Sequence, residues 1–224
     1  MSENPEAEPR TPRQRFRAQI RDEIKQAALR QLARSGPAGV SVNAIGKELG
    51  VSGPALYRYF ASRDELLTEL VIDAYDDMAA ALRAAIAATR KRARHARFDA
   101  LARAYRAWAI SQPHRYRLLY GPPLPGYDAH ARRLIEASKA SMDLLLEVLP
   151  ADGAHTRPTR ALASQATDWA TDRGLQADAA TAVSALLTWS RLHGFVSLEI
   201  DGNYDSMGID PDALFELELS ALTR

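Results

Sequence analysis

The chain of 224 residues contains no cysteine, so disulfide bonds, thiolate zinc sites and thiol redox chemistry are excluded. Aromatic residues make up only 7% of the sequence, and stretches in which β-branched residues alternate with polar ones are scarce. No window approaches the twenty uninterrupted apolar residues of a membrane-spanning helix, and residues 1–15 are polar and contain prolines, unlike a secretion signal. These absences predict a cytoplasmic, helical protein with no membrane partner.

Lysine is also rare, and arginine supplies 25 of the 29 basic residues. The charges are distributed unevenly along the chain. Residues 10–63 hold eleven basic side chains against three carboxylates, a net charge of +8, whereas residues 64–224 carry a net charge of −4. A basic segment joined to a mildly acidic remainder is typical of a polyanion-binding domain, and a solvated basic surface without a partner is the alternative.

The residues that dominate the chain favour helix throughout, and apolar side chains recur at helical spacing. A first helix is predicted over 16–33, with an apolar stripe that begins at Phe16. Two short helices follow, one between Ser41 and Gly50 and one capped by Ser52. Further helices are predicted at 62–90, 97–112, 114–120, 127–149, 159–172, 178–200 and 210–223, which makes the fold all-α.

The two short helices are separated by a tight turn at Gly50-Val51-Ser52. This is the spacing of a helix-turn-helix, whose second helix enters the major groove of DNA. Leu56 and Phe60 lie four residues apart and are expected to pack that helix onto Ile45 and Leu49. The motif therefore predicts one buried face and one face turned toward DNA.

The remaining side chains of the second helix suit contact with DNA. Gly53, Pro54 and Ala55 are small enough to allow close approach to base edges. Tyr57 and Tyr59 offer hydroxyl groups to phosphate oxygens. Because Arg58 stands between them, these three side chains cannot all face a single core. Tyrosines that simply fill core space are the alternative interpretation.

Three segments of this region, Leu49–Ser52, Leu56–Phe60 and Ser62–Leu67, closely resemble the DNA-binding domain of the TetR/AcrR family of transcriptional regulators. The resemblance covers about residues 16–70 and implies three N-terminal helices for DNA and six or more for ligand and dimer. It also implies a base contact for Asn43 and a phosphate contact for Arg63. The candidate DNA-contacting residues are Ser41, Asn43, Ser52, Gly53, Pro54, Ala55, Tyr57, Arg58, Tyr59 and Arg63.

This interpretation divides the chain into a flexible basic arm at 1–15, a helix-turn-helix domain at 16–61 and a ligand-binding and dimerisation domain at 62–224. The arm either reaches a minor groove or phosphates, or is a solvated tail. The arginines assigned to this role are Arg10, Arg13 and Arg15, together with Arg17 at the start of the first predicted helix. One helix-turn-helix offers too little surface for specific binding, so a two-fold homodimer on a double-stranded, pseudo-palindromic DNA operator is expected.

The predicted helix at 178–200 is apolar over more than one face, so it should be buried on two sides. One stripe contains Leu186, Trp189, His193, Val196 and Ile200, and an adjacent stripe of smaller residues contains Val183, Leu187, Ser190, Gly194 and Ser197. We predict that this helix and the one at 210–223 form a four-helix dimer interface. Residues 189–199 also resemble a subgroup of the same family marked by a Trp and a His-Gly pair. His193 is interpreted as a hydrogen-bonded core histidine and not as a metal ligand.

A small-molecule effector is expected to bind between helices of the larger domain. Its candidate liners are aromatic or flexible apolar side chains, each of which could instead be ordinary core. They are Met78, Tyr105, Trp108, Tyr116, Leu119, Tyr120, Met142, Leu145, Trp169 and Trp189, together with His193. The aromatic bias indicates a flat or hydrophobic effector.

The chain has no GxSxG, HExxH, P-loop or GxGxxG motif, and its histidines lack metal-ligand spacing, so neither an enzyme nor a cofactor is expected. We predict a ligand-responsive transcriptional regulator, a repressor in preference to an activator. The first alternative is an architectural DNA-binding protein without an effector, which would bind unrelated duplexes almost equally. The second is a ligand-sequestering protein with vestigial DNA binding.

Overall fold

The computed structural model describes residues 11–121, 132–149 and 158–223, and every regular element in these ranges is helical, as predicted. No helix of these ranges is both long and apolar enough to cross a membrane. The described residues form two compact units, 11–70 and those from Val71 onward, so the division falls within one helix. The α-helices are α1 (Pro12–Ser35), α2 (Val42–Leu49), α3 (Gly53–Leu56), α4 (Arg63–Ala88), α5 (Arg94–Ser111), α6 (Pro113–Tyr120), α7 (Arg132–Val148), α8 (Arg160–Asp172), α9 (Ala179–Ile200), α10 (Asn203–Met207) and α11 (Pro211–Leu222).

The first helix begins earlier than the sequence periodicity predicted. Thr11 and Gln14 cap it reciprocally: Thr11 Oγ1 accepts from the Gln14 N–H at 3.3 Å, and Gln14 Oε1 accepts from the Thr11 N–H at 2.7 Å. Residues 12–15 of the predicted arm are therefore helical, and residues 1–10 lie outside the described residues. Phe16, predicted to begin the buried stripe, is 61% exposed, and the stripe is fully buried only from Ile24 onward.

The first unit packs α1, α2, α3 and the start of α4 around one set of apolar side chains. Gln31 is a buried polar residue there, and its Oε1 accepts from the Ser41 N–H at 2.9 Å, which satisfies the backbone ahead of α2. Ser62 Oγ accepts from the Glu65 N–H at 3.0 Å and the Glu65 carboxylate accepts from the Ala61 N–H, so this pair caps the start of α4. The buried apolar residues are Ile24, Ala27, Ala28, Leu32, Val40, Ile45, Leu56, Phe60, Leu66, Leu67 and Leu70.

The second unit has a large core cluster made by α4, α5, α6, α7, α9, α10 and α11, and a smaller cluster where α8 packs on α9. The predicted helix at 127–149 is described from Arg132 to Val148, and residues 127–131 lie outside the described residues. The five-residue α10 was not predicted. It lies between Gly202 and Gly208, which both have positive φ, so it is a short helical turn enclosed by two chain reversals.

Candidate functional site

The turn between α2 and α3 is built from two glycines with different roles. Gly50 has φ 68° and ends α2 in the left-handed conformation, and the Val51 N–H reaches back to the Gly46 carbonyl at 2.9 Å. Gly46 allows the two helices to approach, because a Cβ at that position would lie 2.8 Å from the Val51 carbonyl oxygen and 3.3 Å from Leu56 Cδ1. The helix-turn-helix spacing therefore depends on Gly46 as well as on the turn itself.

Residues 53–60, called the recognition segment from here on, form less regular helix than the sequence predicted. Only Gly53–Leu56 is α-helical, and Ser52 stands at the N-cap position without a side-chain capping bond. Turns follow, in which the N–H groups of Arg58 and Tyr59 bond to carbonyls three residues earlier at 3.3 and 2.8 Å. Leu56 and Phe60 are buried, which confirms the predicted face toward the domain core.

The candidate DNA-contacting side chains lie on or near one tip of this unit. A Cβ built on Gly53 would lie 3.0 Å from Asn43 Oδ1, so the start of α2 and the start of α3 are neighbours. Ser41 caps α2, because its hydroxyl accepts from the Ala44 N–H at 3.3 Å. Ser41, Asn43, Ser52, Pro54, Tyr57 and Arg58 are exposed, whereas Gly53, Ala55 and Tyr59 are half-buried.

Arg58 and Arg63 are placed very differently for a phosphate contact. Arg58 is exposed, and its guanidinium has no ion-pair partner within the described part of the chain. The Arg63 guanidinium donates to the carbonyls of Val40 at 2.8 Å, Pro37 at 2.7 Å and Ala38 at 3.2 Å. Arg63 therefore ties the turn before α2 to the start of α4, and this structural role competes with the predicted phosphate contact.

Two arginines of α1 contact the recognition segment from behind, and sequence reasoning missed this role. Arg17, assigned to the arm, donates from Nη2 to the Arg58 carbonyl at 3.1 Å, and Arg21 donates from Nη1 to the Tyr59 carbonyl. The Arg21 guanidinium also lies 4.2 Å from the centroid of the Phe60 ring. The spacing of these arginines by four residues was the available signal, since it places both on one face of α1.

In the second unit, most of the predicted effector-contacting residues belong to one cluster. Met78, Tyr105, Trp108, Tyr116 and Leu145 are buried in it, and Leu119, Tyr120, Met142 and Trp189 pack against it half-buried. Tyr75 also joins the cluster through an edge contact with Tyr120, and the sequence did not single it out. Trp169 is separate: it packs on the smaller α8–α9 cluster, with Arg173 over its ring.

The centre of the large cluster is a hydrogen-bonded group on α6 and α9. The Tyr116 hydroxyl lies 2.7 Å from His193 Nδ1, 3.1 Å from the His193 carbonyl oxygen and 2.9 Å from Ser197 Oγ. The imidazole stacks on Trp189, with ring centroids 5.4 Å apart, and burial lowers the pKa of His193. These contacts confirm the interpretation of His193 as a hydrogen-bonded histidine, although it is half-buried and not fully enclosed.

Two further tyrosines, Tyr105 and Tyr120, show that the buried interior of the cluster disfavours negative charge. Burial raises the pKa of Tyr105 and of Tyr120 far above the usual tyrosine range, so both hydroxyls stay protonated. The Tyr105 hydroxyl is buried beside the hydroxyls of Tyr116 and Tyr120, which influence its pKa, but it makes no hydrogen bond of normal length and angle within the described residues. A buried hydroxyl without a well-formed hydrogen bond is costly, so Tyr105 is a candidate donor to a bound molecule.

Trp108 has a structural partner of its own at the edge of this cluster. Its indole Nε1 donates to Asp77 Oδ2 at 2.9 Å, and Arg115 Nη1 donates to the same oxygen at 2.8 Å. Arg115 Nη2 also donates to the Asp73 carbonyl at 3.1 Å. Trp108 therefore holds α5 against α4, and its ring alone remains for contact with a ligand.

The outer faces of α9 and α11 carry exposed apolar residues. Leu187, Leu198 and Leu217 are 51%, 46% and 69% exposed, and a Cβ built on Gly194 would meet nothing within 4 Å. Arg191 of α9 forms two hydrogen bonds with Glu218 of α11, at 2.7 and 2.9 Å, which join the two helices. Val183, predicted for the same stripe as Leu187, is instead buried under α8.

A surface groove of about 540 Å³ runs along α1 in the first unit and does not coincide with the aromatic cluster. Its walls are mostly amide side chains and charged side chains, and the charged ones include both acids and bases. That lining does not match the flat, hydrophobic effector that the sequence predicts, so the aromatic cluster is the better candidate. The groove is lined by Arg15, Ala18, Gln19, Asp22, Glu23, Gln26, Arg30 and Leu49.

Two family models match the chain. The model described as "Bacterial regulatory proteins, tetR family" matches residues 24–70, and the model "Tetracyclin repressor-like, C-terminal domain" matches residues 98–222. The HTH-type transcriptional regulator Rv1816 of Mycobacterium tuberculosis (strain ATCC 25618 / H37Rv) is 36% identical over 214 residues, which cover 92% of this chain and 92% of that protein. The matches therefore include both structural units.

Solved structures agree with this comparison. The crystal structure of SCO4313, described as a regulatory protein, has a TM-score of 0.78 at 42% identity and covers 95% of this chain and 98% of its own. FadR of Bacillus halodurans, described as a fatty acid degradation regulator, has a TM-score of 0.60 over 90% of this chain and 97% of its own. Its identity is 16%, so that likeness shows the fold alone.

Proposed function

Because the chain belongs to the TetR family of DNA-binding transcriptional regulators, we propose that it is a repressor that a small effector releases from DNA. The operator is a pseudo-palindrome bound by a homodimer. Residues 16–61, extended by the start of α1, read the DNA, and residues 62–224 bind the effector and form the dimer. The observation that carries the proposal is the exposed tip of α2 and the recognition segment, whose opposite face is buried.

The side chains of that tip divide into two groups: some suit contacts with DNA bases, and others suit contacts with the DNA phosphates that position the protein on the duplex. Asn43 suits bidentate pairing with adenine, and Ala55 suits contact with a thymine methyl group. Tyr57 and Tyr59 suit hydrogen bonds to phosphate oxygens, and Arg58 adds an exposed positive charge. Arg63 contributes indirectly, because it fixes the turn that presents α2.

Selection of duplexes from a random-sequence library by the purified protein tests DNA reading without assuming an operator sequence. We expect a two-fold symmetric consensus, and affinity for it at least about a thousandfold above that for an unrelated duplex. Tyr57→Ala should weaken binding to the consensus. Tyr57→Phe removes only the hydroxyl group and so measures its contribution to affinity. Leu162→Ala, on the exposed face of α8, is the control. Enrichment of no sequence would refute the specific-repressor proposal.

The same measurement separates the repressor from an architectural DNA-binding protein. An architectural protein binds unrelated duplexes with nearly equal affinity, and its affinity falls steeply with salt because phosphate contacts dominate. A repressor keeps its preference for the consensus as the salt concentration rises. The mixed charge of the α1 face, where Arg30 pairs with Glu48 at 2.6 Å, favours the repressor because that face is not a continuous cationic surface.

The exposed apolar residues of α9 and α11 support dimerisation through these helices. Gly194 and Ser190 lie between Leu187 and Leu198 on α9, so a second copy of the helix can approach closely. Sedimentation at micromolar concentration should show a dimer, and Leu187→Glu should give a folded monomer. A stable wild-type monomer would contradict this part of the proposal.

The aromatic cluster supports binding of a neutral, flat and hydrophobic effector. Tyr116, Tyr120, Trp189 and His193 contact one another through their rings, and Tyr105 supplies a buried donor for an acceptor atom of the effector. Compounds can be screened by quenching of tryptophan fluorescence and then tested for release of the consensus duplex. Tyr105→Phe should weaken those that carry an acceptor oxygen and spare those without one.

α4 contains residues of both units, and this supports a mechanism by which the effector releases the protein from DNA. We propose that effector binding displaces α4 and so changes the separation of the two recognition segments in the dimer. Linkage requires that DNA weaken effector binding by the same factor by which the effector weakens DNA binding. An effector that binds tightly without changing the affinity for DNA would show that this coupling is absent.

A further inference from the structure

Arg21 contacts two functional elements of the first unit with one guanidinium group. Its Nη1 donates to the Tyr59 carbonyl, and its planar head lies over the Phe60 ring. Its Nη2 lies 3.3 Å from Glu69 Oε2 on α4. The recognition segment and α4 are therefore joined through a side chain of α1.

The recognition segment needs such support because it cannot maintain its own conformation. It has four residues of α-helix followed by turns, and helices shorter than about 12 residues are marginal without tertiary contacts. The carbonyls of Arg58 and Tyr59 accept from the side chains of Arg17 and Arg21, at the end of the segment, where a helix leaves acceptors without backbone partners. A charged donor at the Tyr59 carbonyl satisfies one of them with a stronger bond than a neutral donor provides.

We propose that Arg21 is a positioning residue that couples the location of α4 to the conformation of the recognition segment. It orients Tyr57, Arg58 and Tyr59 from behind without touching DNA, and Glu69 holds its guanidinium in place. This inference rests on the proposed repressor function. A lysine cannot substitute, because a single ammonium group cannot reach the Tyr59 carbonyl, cover the Phe60 ring and meet Glu69 at once.

Lys25 provides a matched control for the experiment. Its Nζ lies 3.7 Å from the same Glu69 Oε2, one turn further along α1. Lys25→Gln therefore removes one positive charge and one ion pair to the same carboxylate, as Arg21→Gln does. The difference between the two variants therefore reports chiefly the contacts with Tyr59 and Phe60, which Arg21 makes in addition to its ion pair with Glu69.

Binding is measured with the full-length protein, the selected consensus duplex and an unrelated duplex of equal length. Arg21→Gln and Arg21→Lys should each lose about tenfold in affinity for the consensus, the equivalent of one hydrogen bond to a charged group. Affinity for the unrelated duplex should fall by a smaller factor, because nonspecific binding depends more on total positive charge than on an ordered recognition segment. Lys25→Gln should bind the consensus within about twofold of the wild type.

The salt dependence distinguishes positioning from a direct phosphate contact. A positioning residue leaves the slope of log K against log salt concentration unchanged. If Arg21 bound a phosphate, its loss would reduce that slope by about 0.9, and Arg21→Lys would restore both slope and affinity. Restoration by lysine would overturn the proposal.

Hydrogen exchange in the absence of DNA tests the inference independently of the proposed function. Amides of residues 53–60 should exchange faster in Arg21→Gln, Arg21→Lys and Glu69→Gln than in Lys25→Gln, with protection of α1 unchanged. If Arg21→Gln loosens the whole unit, Arg21→Lys decides the question, and unchanged protection of the segment in that variant overturns the proposal. A wild-type protein that selects no DNA sequence refutes the repressor and leaves this exchange result standing.

Discussion

Replacing Gly46 with alanine tests how closely α2 and the recognition segment must approach. The added methyl group would lie 2.8 Å from the Val51 carbonyl oxygen and 3.3 Å from Leu56 Cδ1. The leucine can rotate, but the backbone oxygen cannot, because the neighbouring Val51 N–H is bonded to the Gly46 carbonyl. The turn must therefore move by several tenths of an ångström, and α3 moves with it.

Two opposing effects set the size of the change. Alanine favours helix over glycine by about 0.8–1.0 kcal/mol, whereas overpacking a tight contact costs about 1–3 kcal/mol. The steric cost is the larger, so Gly46→Ala should lower the free energy of unfolding by about 1 kcal/mol. Because α3 carries the base-reading residues, affinity for the consensus should fall about tenfold, comparable to the loss of one base contact.

Gly50→Ala is the matched control, since it makes the same chemical change in the same turn. Gly50 has φ 68°, so alanine there is strained by about 1–2 kcal/mol, but its Cβ would meet nothing within 4 Å. Both variants are compared by chemical denaturation and by duplex titration under conditions where both are folded. The reasoning is refuted if Gly46→Ala is as stable as the wild type, or if it binds the consensus as tightly as Gly50→Ala does.

Three other perturbations have defined outcomes. Tyr116→Phe removes a buried hydroxyl bonded to His193, so the free energy of unfolding should fall by about 1–3 kcal/mol in denaturation, and an unchanged midpoint would contradict this. Burial lowers the pKa of His193 below its ordinary 6.5, so the unfolded chain binds more protons and stability should fall as pH drops below that value. His193→Gln should flatten this slope in denaturation series run at several pH values without abolishing it, because burial also lowers the pKa of His114 and hydrogen bonds lower the pKa of Asp178 and Glu216; a slope equal to that of the wild type would count against it. Arg63→Lys breaks bonds to three carbonyls and should cost about 2 kcal/mol of stability, whereas reduced DNA affinity at full stability would indicate a phosphate contact.

The sequence predicted helices and buried faces well where the signal is periodic and local. Leu56 and Phe60 were assigned to the core from their spacing alone, and Asp178 and Asp210 cap α9 and α11 where the predicted helices begin. The start of α1 was missed although its signal was local: Thr11 and Gln14 form a capping box that the surrounding arginines and prolines obscured.

Contacts between distant parts of the chain were beyond sequence reasoning. Arg21 and Tyr59 are 38 residues apart, and Arg63 reaches carbonyls 23 to 26 residues earlier, so no spacing rule relates them. Trp169 and Trp189 are both large aromatic residues on predicted helices, so the sequence does not distinguish them. Only tertiary packing assigns Trp169 to the smaller α8–α9 cluster. Periodicity identifies a buried face without identifying what covers it.

The Tyr116 hydroxyl has one hydrogen and lies near His193 Nδ1, the His193 carbonyl oxygen and Ser197 Oγ. The neighbour to which that hydrogen points determines whether His193 Nε2 is a hydrogen-bond donor or an acceptor. When that hydrogen points to His193 Nδ1, the imidazole proton resides on Nε2, which then acts as a donor. When it points to the His193 carbonyl or to Ser197, Nδ1 carries the imidazole proton and Nε2 becomes an acceptor. Rotation of the Tyr116 hydroxyl, together with exchange of the imidazole proton from one ring nitrogen to the other, would thus let the proposed site match a ketone in one effector and a phenol in another, with every side chain in place.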